Sequence, residues 1–229
     1  MNLKVFLDIE TLPPDEAVKD HIQQNILRDI ANQQIGNDEL LSLVENQYRK
    51  MALQAEEGRV LTIGIIIEEN GQIKHRGLLG RDRATYKFHL DEAKTLRSFW
   101  KLMNEFQPQR DQVIGHNIFD FDLLFLYKRS IIQRVQPSVN LNFARYRSQP
   151  IFDTMREWER WGRSNISLDR LARTLGLESS KQNGIDGSMV YDHFCIGQHE
   201  EIAAYCMRDV DLVRAIYYRM TFSDLSIDF

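Results

Sequence analysis

Apolar positions along the chain fall into short continuous runs and into longer stretches with helical spacing. Continuous apolar runs predict strands that are buried on both faces of a sheet. On this basis strands are predicted at residues 3–9, 59–68, 72–79, 112–115 and 151–153. Asn70-Gly71 stands between the second and third of these strands and favours a tight hairpin turn.

The remaining apolar residues recur at helical spacing between polar positions. Helices are predicted within 15–57 and at about 91–106, 120–133, 167–175 and 199–220. Ser167 is an N-cap and Gly176 a stop signal for the fourth of these segments. The order of elements predicts an α/β fold, with a mixed β-sheet flanked by helices. We expect a single domain over 1–229, with residues 15–57 forming a helical insertion after the first strand.

The composition limits the classes of protein to which the chain can belong. With 229 residues, 43% of them hydrophobic, the chain is long enough to bury a sizeable core. Its start does not resemble a secretory signal, and no apolar run approaches membrane-spanning length, so no membrane partner is expected. The two cysteines, Cys195 and Cys206, are too few for a disulfide framework. We expect a cytoplasmic protein with reduced thiols.

Charge is distributed unevenly, although the net charge is only −4. Residues 1–57 are strongly acidic, whereas residues 128–173 carry ten Lys and Arg against four Asp and Glu. Nine of the ten are arginines: Arg129, Arg134, Arg145, Arg147, Arg156, Arg160, Arg163, Arg170 and Arg173. Arginine suits forked phosphate contacts, but solvated helix faces would give the same pattern, and both readings stay open at this point.

Acidic residues interrupt apolar elements at three places. Asp8 and Glu10 are two residues apart in the first strand, so both project from the same face. Two carboxylates this close repel each other unless a cation lies between them. At a strand end that reaches solvent, however, both carboxylates would simply be hydrated. Taken alone, the pair favours this interpretation over a cation site.

The second place is the start of the helix near residue 120, where Asp120 and Asp122 stand among apolar residues. One of them is expected to cap the helix, and the other then has no such role. The third place is the last helix, where Tyr205 and Asp209 share one face at i,i+4 spacing. Taken alone, this pair predicts no more than a Tyr–Asp hydrogen bond.

Together, the three segments each bring acids to the edge of an apolar element. Carboxylate oxygens are the ligands of hard divalent cations such as Mg²⁺. Two such ions about 4 Å apart clamp the attacking and leaving oxygens of a phosphoryl displacement. The carboxylates of Asp8, Glu10, Asp122 and Asp209 are the candidates to hold them.

In three motifs the sequence resembles the DEDD superfamily of 3′–5′ exonucleases, whose fold is related to ribonuclease H. The motifs are Asp8-Ile9-Glu10, then Asn117 followed by Phe121-Asp122, and Tyr205 followed by Asp209. Tyrosine at the third motif identifies the DEDDy subclass. The stretches GHNIFDFDLLFL, SLDRLARTLGL, KQNGIDGSMV and YCMRDVDL are similar to stand-alone bacterial proteins related to the proofreading exonuclease domain of family-B DNA polymerases.

The resemblance implies hydrolysis of single-stranded nucleic acid from its 3′ end to nucleoside monophosphates, with two Mg²⁺ or Mn²⁺ ions. Asp8 would bridge both metals, Asp122 would bind the second metal and Asp209 the first. Glu10 would bind metal near the terminal 3′-hydroxyl, and Tyr205 would orient the attacking water. The Phe-Asp pairing in the second motif selects Asp122 rather than Asp120. Thr11, Asn117 and Phe121 are the implied substrate-binding residues.

The same resemblance favours DNA over RNA as the substrate. It also favours binding of backbone phosphates as the role of the arginines. Phe143, Tyr146, Trp158 and Trp161 lie among those arginines and would stack on unpaired bases, although at least half of them are expected in the core. His116 is expected to be a loop residue and not a ligand. Asp153, Asp186 and Lys181 stay unassigned, and Asp211 is interpreted as structural.

Three alternatives stay open. The same fold could act as an exoribonuclease, or as a nucleic-acid-binding module without turnover. An aspartyl-phosphate phosphatase also begins with an acidic doublet after a strand. Glu10 in the second acidic position, followed directly by Thr11, departs from that enzyme's pattern and argues against it.

Overall fold

Five strands form one mixed sheet in the computed structural model, which describes residues 2–29, 35–179 and 184–223. The strands are β1 (Leu3–Leu12), β2 (Arg59–Glu69), β3 (Gln72–Leu79), β4 (Gln112–Gly115) and β5 (Ile151–Asp153). Their order across the sheet is β3-β2-β1-β4-β5. The pairs β1–β2 and β2–β3 are antiparallel, and β1–β4 and β4–β5 are parallel. The first strand is therefore central.

Helices cover both faces of this sheet. They are α1 (Val18–Asp29), α2 (Asn37–Lys50), α3 (Glu92–Leu102), α4 (Asp122–Ile132), α5 (Thr154–Trp158), α6 (Leu168–Thr174), α7 (Val190–Cys195) and α8 (His199–Met220). Short 3₁₀ turns lie at Met51–Leu53, Met103–Glu105 and Gly187–Met189. Both α1 and α2 fall between β1 and β2, where the helical insertion was predicted. None of the helices in the described ranges is long and apolar enough to cross a lipid bilayer.

Strand β1 is buried on both faces because its alternate side chains enter two different apolar layers. Leu7 and Ile9 pack with α3 and α4 on one face. Phe6, on the other face, packs against Val210 and Tyr217 of α8. Asp8 and Glu10 follow Phe6 on this second face, so the strand directs both acids toward the layer that α8 covers.

A glycine in β2 brings α8 close to the sheet. Gly64 pairs with Asp8 in the antiparallel register of β1 and β2. A Cβ at this position would lie 2.8 Å from Cys206 Sγ and 2.8 Å from Val210 Cγ2, which is closer than side-chain carbons approach. Only glycine fits here without moving the helix. The closeness of α8 to β1 therefore depends on this residue.

The predicted fold class is confirmed, and several elements match at both ends. The strand over 112–115 and the helix over 199–220 have the predicted bounds, and Asn70 and Gly71 both have positive φ in the predicted hairpin. Ser167 caps α6 by accepting from the backbone N–H of Arg170. The first strand is longer than predicted, since it continues to Leu12 past a bulge at Glu10/Thr11.

The expectation that Asp120 or Asp122 caps the helix near 120 is wrong. Helix α4 begins at Asp122, its N-cap residue is Phe121, and no side chain caps it. Asp120 instead forms ion pairs with Arg145 and Arg156. These partners lie 25 and 36 residues further along the chain, which is why local spacing did not indicate them.

The end of α2 is joined to α7. Arg49 donates two hydrogen bonds to Asp192, at 2.9 and 2.6 Å, and a third to Glu45. The rings of Tyr48 and Tyr191 meet edge to face, with centroids 5.6 Å apart. The helical insertion is thus attached to the segment that precedes α8. Lys181 lies outside the described residues.

Candidate active site

The first motif places two carboxylates at the centre of the sheet. Oxygens of Asp8 and Glu10 and the sulfur of Cys206 all lie within 4.8 Å of one another. Glu10 is buried, and Cys206 is fully buried on the side of α8 that faces the sheet. Cys206 Sγ lies 3.9 Å from Asp8 Oδ2. The sequence analysis did not assign this cysteine to the site. Its position next to Tyr205 and three residues before Asp209 nevertheless places it on an adjoining helical face.

The second motif meets the first at the open side of β1. Strand β4 pairs with β1 only up to Phe6, so the backbone of β1 beyond that point lacks a neighbouring strand on this side. The carboxylate of Asp122 provides the hydrogen-bond acceptor that a neighbouring strand would otherwise supply. Its Oδ1 accepts a hydrogen bond of 3.1 Å from the backbone N–H of Ile9. Asp122 is buried at the first turn of α4. This bond fixes its side chain beside the residue that separates Asp8 from Glu10.

The third motif contributes a phenol and an acid from α8. Tyr205 and Asp209 are both buried, and their side chains are joined by the hydrogen bond that their i,i+4 spacing predicts. The Tyr205 hydroxyl lies beside Gly187, where a Cβ would be 3.9 Å away. Burial and the negative charges of Glu10, Asp209 and Asp8 raise the pKa of Tyr205 above its usual value. The phenol is therefore neutral at physiological pH.

The carboxylates strongly influence one another. Burial raises the pKa of Asp8 well above its usual value, and the charges of Asp122, Glu10 and Asp209 raise it further. Burial and the charges of Asp209 and Asp122 do the same to Glu10. Burial also raises the pKa of Asp122 to about 7, against the lowering effect of backbone hydrogen bonds.

No lysine or arginine offsets this repulsion at Asp8, Glu10 or Asp122. Across the described ranges 2–29, 35–179 and 184–223, none of the three forms an ion pair. Buried like charges are unfavourable without a counter-charge, so the cluster has the electrostatics of a cation site. Burial and the neighbouring acids raise the pKa of the Cys206 thiol, which keeps it protonated. The available donors are therefore carboxylate oxygens, which fit Mg²⁺ or Mn²⁺.

A cavity of about 480 Å³ opens onto these acids. Asp8, Glu10, Asp209 and Tyr205 line one part of it. Another part comes from the end of α2 and the following turn, and from the turn before α7 together with the first turn of α7. Those lining residues are Arg49, Lys50, Ala52, Leu53, Gly187, Ser188 and Tyr191. The helical insertion thus forms one wall of the candidate site, which the sequence analysis did not predict.

Two of the three expected substrate-binding residues line the same cavity, namely Thr11 and Phe121. Asn117 is not among the lining residues, and it has a clear backbone role. It adopts a left-handed conformation with φ of 57°, and its backbone N–H donates to Asp153 Oδ1 at 3.0 Å. Asn tolerates this conformation better than most residues. Its predicted contact with substrate stays a prediction.

Asp153, previously unassigned, organises the second motif. Its carboxylate accepts from the backbone N–H groups of Asn117 and Phe119, and it also caps α5 through Met155 and Arg156. The residue ends β5, which runs parallel to β4, so the two strand ends meet at one edge. The sequence held this signal, because an acid directly after a short apolar strand is the pattern that identified Asp8.

His116 lies in the loop that follows β4, as predicted. His116 is held between Thr154 Oγ1 at 2.9 Å and the carbonyl oxygen of Ile166 at 2.8 Å, and it contacts none of the carboxylates of the site. Asp211 is an exposed partner of Arg76. Asp186 accepts a hydrogen bond of 2.9 Å from the backbone N–H of Ser188, in the turn that lines the cavity.

The arginine-rich segment divides into engaged and free side chains. Arg129 is buried and forms a forked ion pair with Glu92. It is therefore neither a solvated surface residue nor a candidate for binding phosphate. Arg145, Arg156 and Arg173 pair with Asp120 or Asp169. Within the described ranges, five arginines are exposed and form no ion pair: Arg134, Arg147, Arg160, Arg163 and Arg170.

The aromatics of this segment divide as expected. Phe143 and Trp161 pack against Phe119 and the core. Tyr146 is 75% exposed and Trp158 is 38% exposed. The ring of Tyr146 contacts that of Trp161, so this surface adjoins the turn that leads into Phe121 and Asp122.

Comparison with known proteins agrees with this arrangement. A family described as a predicted 3′–5′ exonuclease related to the exonuclease domain of PolB matches residues 50–228. The match includes Asp122, Tyr205 and Asp209, and the geometry adds Asp8 and Glu10 from outside it. No curated protein matches the sequence. Since the match covers most of the chain, the protein belongs to this family of predicted 3′–5′ exonucleases related to the PolB exonuclease domain.

Proposed function

We propose that the protein is a metal-dependent 3′–5′ exonuclease that hydrolyses single-stranded nucleic acid, preferably DNA, to nucleoside monophosphates. One observation carries the proposal. Asp8, Glu10, Asp122 and Asp209 come from three separate elements and act on one another electrostatically, and Asp8, Glu10 and Asp209 line one cavity together with Tyr205. Such buried acids, with no basic partner for Asp8, Glu10 or Asp122 in the described chain, are matched to divalent cations and a phosphate.

Two Mg²⁺ or Mn²⁺ ions would be held by the four carboxylates. The negative charges of Asp122, Glu10 and Asp209 all act on Asp8, so Asp8 would take part in holding both ions. Asp122 would serve the second ion and Asp209 the first, while Glu10 serves one ion and the terminal 3′-hydroxyl. When bound, the ions lower the pKa of water and stabilise negative charge on phosphoryl oxygens.

Tyr205 has an orienting role in this reaction. Because its pKa is raised and its hydroxyl is hydrogen-bonded to Asp209, it does not act as a base at neutral pH. It positions the attacking water by hydrogen bonding. The water oxygen forms a bond to the terminal phosphorus, the bond to the 3′ oxygen of the preceding nucleotide breaks, and that oxygen takes up a proton. The products are a nucleoside 5′-monophosphate and a strand shortened by one nucleotide.

The test is hydrolysis of 5′-labelled single-stranded DNA and RNA of matched sequence, with Mg²⁺, Mn²⁺ or EDTA. A metal-dependent ladder that shortens from the 3′ end is expected, with DNA cleaved faster than RNA. Asp8→Asn should lower the rate more than ~100-fold, because it removes a metal ligand. Asp211→Asn is the matched control, since Asp211 is an exposed acid on α8. Faster cleavage of RNA would make the protein an exoribonuclease.

A second readout separates metal binding from turnover. Asp8→Asn removes one of the repelling charges, so the metal-free variant should be about 1 kcal/mol more stable and melt ~3 °C higher. Added Mn²⁺ should raise the melting temperature of the parent protein and have little effect on the variant. Intact substrates together with retained strand binding would instead support a nucleic-acid-binding module without activity.

A further inference from the structure

The wall that the helical insertion contributes to the cavity carries a free cation. Arg49 and Lys50 are adjacent at the end of α2, and both line the cavity. Arg49 is fully engaged by Glu45 and Asp192. Lys50 is exposed and has no ion-pair or hydrogen-bond partner in the described parts of the chain.

The backbone that carries Lys50 is held in place by the two residues before it. Tyr48, two residues earlier, is buried, donates from its hydroxyl to the carbonyl oxygen of Pro14 at 2.8 Å, and packs on the ring of Tyr191. Arg49 binds α7 through Asp192. The backbone position of Lys50 at the cavity is therefore fixed by the fold, although its side chain has no ion-pair or hydrogen-bond partner in the described parts of the chain.

The turn after α2 adds an apolar surface to the same wall. Leu53 is 65% exposed and lines the cavity together with Ala52. Phe121 lines the cavity from the start of α4. A single exposed leucine is ordinary on a protein surface, but this one lines the same cavity as Asp8, Glu10 and Asp209.

We infer that Lys50 and Leu53 form a subsite for the last nucleotides at the 3′ end of the strand. In this subsite Lys50 binds a backbone phosphate and Leu53 contacts a nucleobase. The chemical reason is charge balance. A single strand carries a negative charge at each phosphate, and the cavity already contains Asp8, Glu10 and Asp209. The strand needs a cation in the same cavity, and Lys50 is a lining cation that has no ion-pair partner among the described residues. This inference rests on the proposed function and extends it to the helical insertion.

The phosphate contact is tested by binding without turnover. Fluorescence anisotropy of a short single-stranded DNA is measured over a series of KCl concentrations, in an Asp8→Asn background. Lys50→Ala should weaken binding about fivefold and reduce the slope of log K against log salt by ~0.7, because one phosphate contact is lost. Lys50→Arg should restore the slope. A mere stabilising effect of Lys50 on the end of α2 would leave the slope unchanged.

Lys101→Ala is the matched control, since Lys101 is also an exposed lysine in the last turn of a helix, α3, and does not line the cavity. It should leave affinity and slope at the parent values. Equal slopes for Lys50→Ala and Lys101→Ala would overturn the phosphate contact. Failure of the parent to bind the strand at all would overturn the subsite as a whole.

The base contact is tested with Leu53→Ala and two oligonucleotides, one with an ordinary 3′ terminus and one abasic in its last nucleotides. The variant should bind the ordinary strand about tenfold more weakly, with an unchanged salt slope, and should bind the abasic strand as the parent does. Equal losses for both strands would overturn the base contact. Because neither experiment depends on hydrolysis, absence of cleavage by the wild-type protein would overturn the proposed function and leave the binding result standing.

Discussion

At the scale of single residues, the site combines acids that repel each other with a neutral histidine that supports the second motif. His116 lies between β4 and Asn117, with Nε2 on the carbonyl oxygen of Ile166. Since a carbonyl only accepts hydrogen bonds, Nε2 must carry the proton. Burial lowers the pKa of His116 to about 4, against the opposing effect of this hydrogen bond.

This shift predicts a specific pH dependence of stability. Between pH ~6.5 and ~4 the unfolded state binds a proton on His116 that the folded state does not, so stability falls as the pH is lowered through this range. Above pH ~6.5 the residue contributes no pH dependence, and below ~4 the loss is complete. The total effect is about 3 kcal/mol.

His116→Gln checks this expectation, because glutamine retains a donor for Ile166 and does not titrate. Urea denaturation of both proteins at several pH values gives the free energy of unfolding. The parent should lose about 3 kcal/mol more than the variant between pH 7 and pH 4. Parallel pH profiles would show that the pKa of His116 is the same in the folded and unfolded states.

Residue types in sequence predicted much of the site, but not its supports. Strand and helix periodicity predict that Asp8 shares a face with Glu10, and Tyr205 with Asp209. Asp122 was selected over Asp120 by the resemblance to the family motif. The hydrogen bonds of Asp153 and the pairing of Asp120 with Arg145 and Arg156 depend on contacts across long stretches of chain. Local spacing carries no information about those partners.

At the scale of elements, the distance between α8 and the sheet controls the site. Gly64 is the point of closest approach, and its register partner is Asp8. Cys206 and Val210, which contact it, flank Asp209 on α8. A side chain at position 64 would therefore displace the helix that carries Tyr205 and Asp209 relative to the strand that carries Asp8.

Gly64→Ala is expected to destabilise the fold by ~1–3 kcal/mol through overpacking, and to lower exonuclease activity far more than the folded fraction would explain. Melting temperature and cleavage rate, measured on the same preparation below the melting transition, check this. Gly77→Ala is the matched control in the neighbouring strand, where a Cβ would meet only His75 Nε2 at 3.9 Å. Full activity of Gly64→Ala would show that the site tolerates movement of α8.

Elements were predicted well where hydrophobic periodicity alone determines them. The strands and α8 have continuous or strongly periodic apolar patterns, and their bounds agree within a few residues. The wall formed by α2 was not predicted as part of the site. Its sequence indicates only an amphipathic helix with Leu40, Val44 and Tyr48 on the buried face. Its docking on α7 depends on Asp192 and Tyr191, more than a hundred residues away.

At the scale of the whole molecule, an exposed basic surface extends away from the cavity. Arg147, Arg160 and Arg163 are exposed and unpaired in the described ranges, and Tyr146 lies beside them. Through Trp161 and Phe119 this surface adjoins the turn that carries Phe121 into the cavity. A strand held at its 3′ end in the cavity would place its upstream phosphates here.

Replacing Arg147, Arg160 and Arg163 with alanine should therefore affect long strands selectively. For a long oligonucleotide the salt slope of binding should fall by ~2, because three phosphate contacts are lost. Cleavage of a trinucleotide should keep its rate. Alanine at Lys94, Arg97 and Lys101 of α3 is the control, and it should change neither measurement. Equal effects on long and short substrates would contradict this path for the strand.

The order of the elements has a consequence for synthesis of the protein on the ribosome. Asp8 emerges early, but Asp209 and Tyr205 are carried by α8, the last helix of the described chain, which packs directly on β1. Until that helix has been translated and has docked, the nascent chain holds only part of its carboxylate set. If the protein has the proposed function, a polypeptide released before α8 would lack Asp209 and Tyr205 and would be inactive, so activity would arise only after α8 has been translated and has docked.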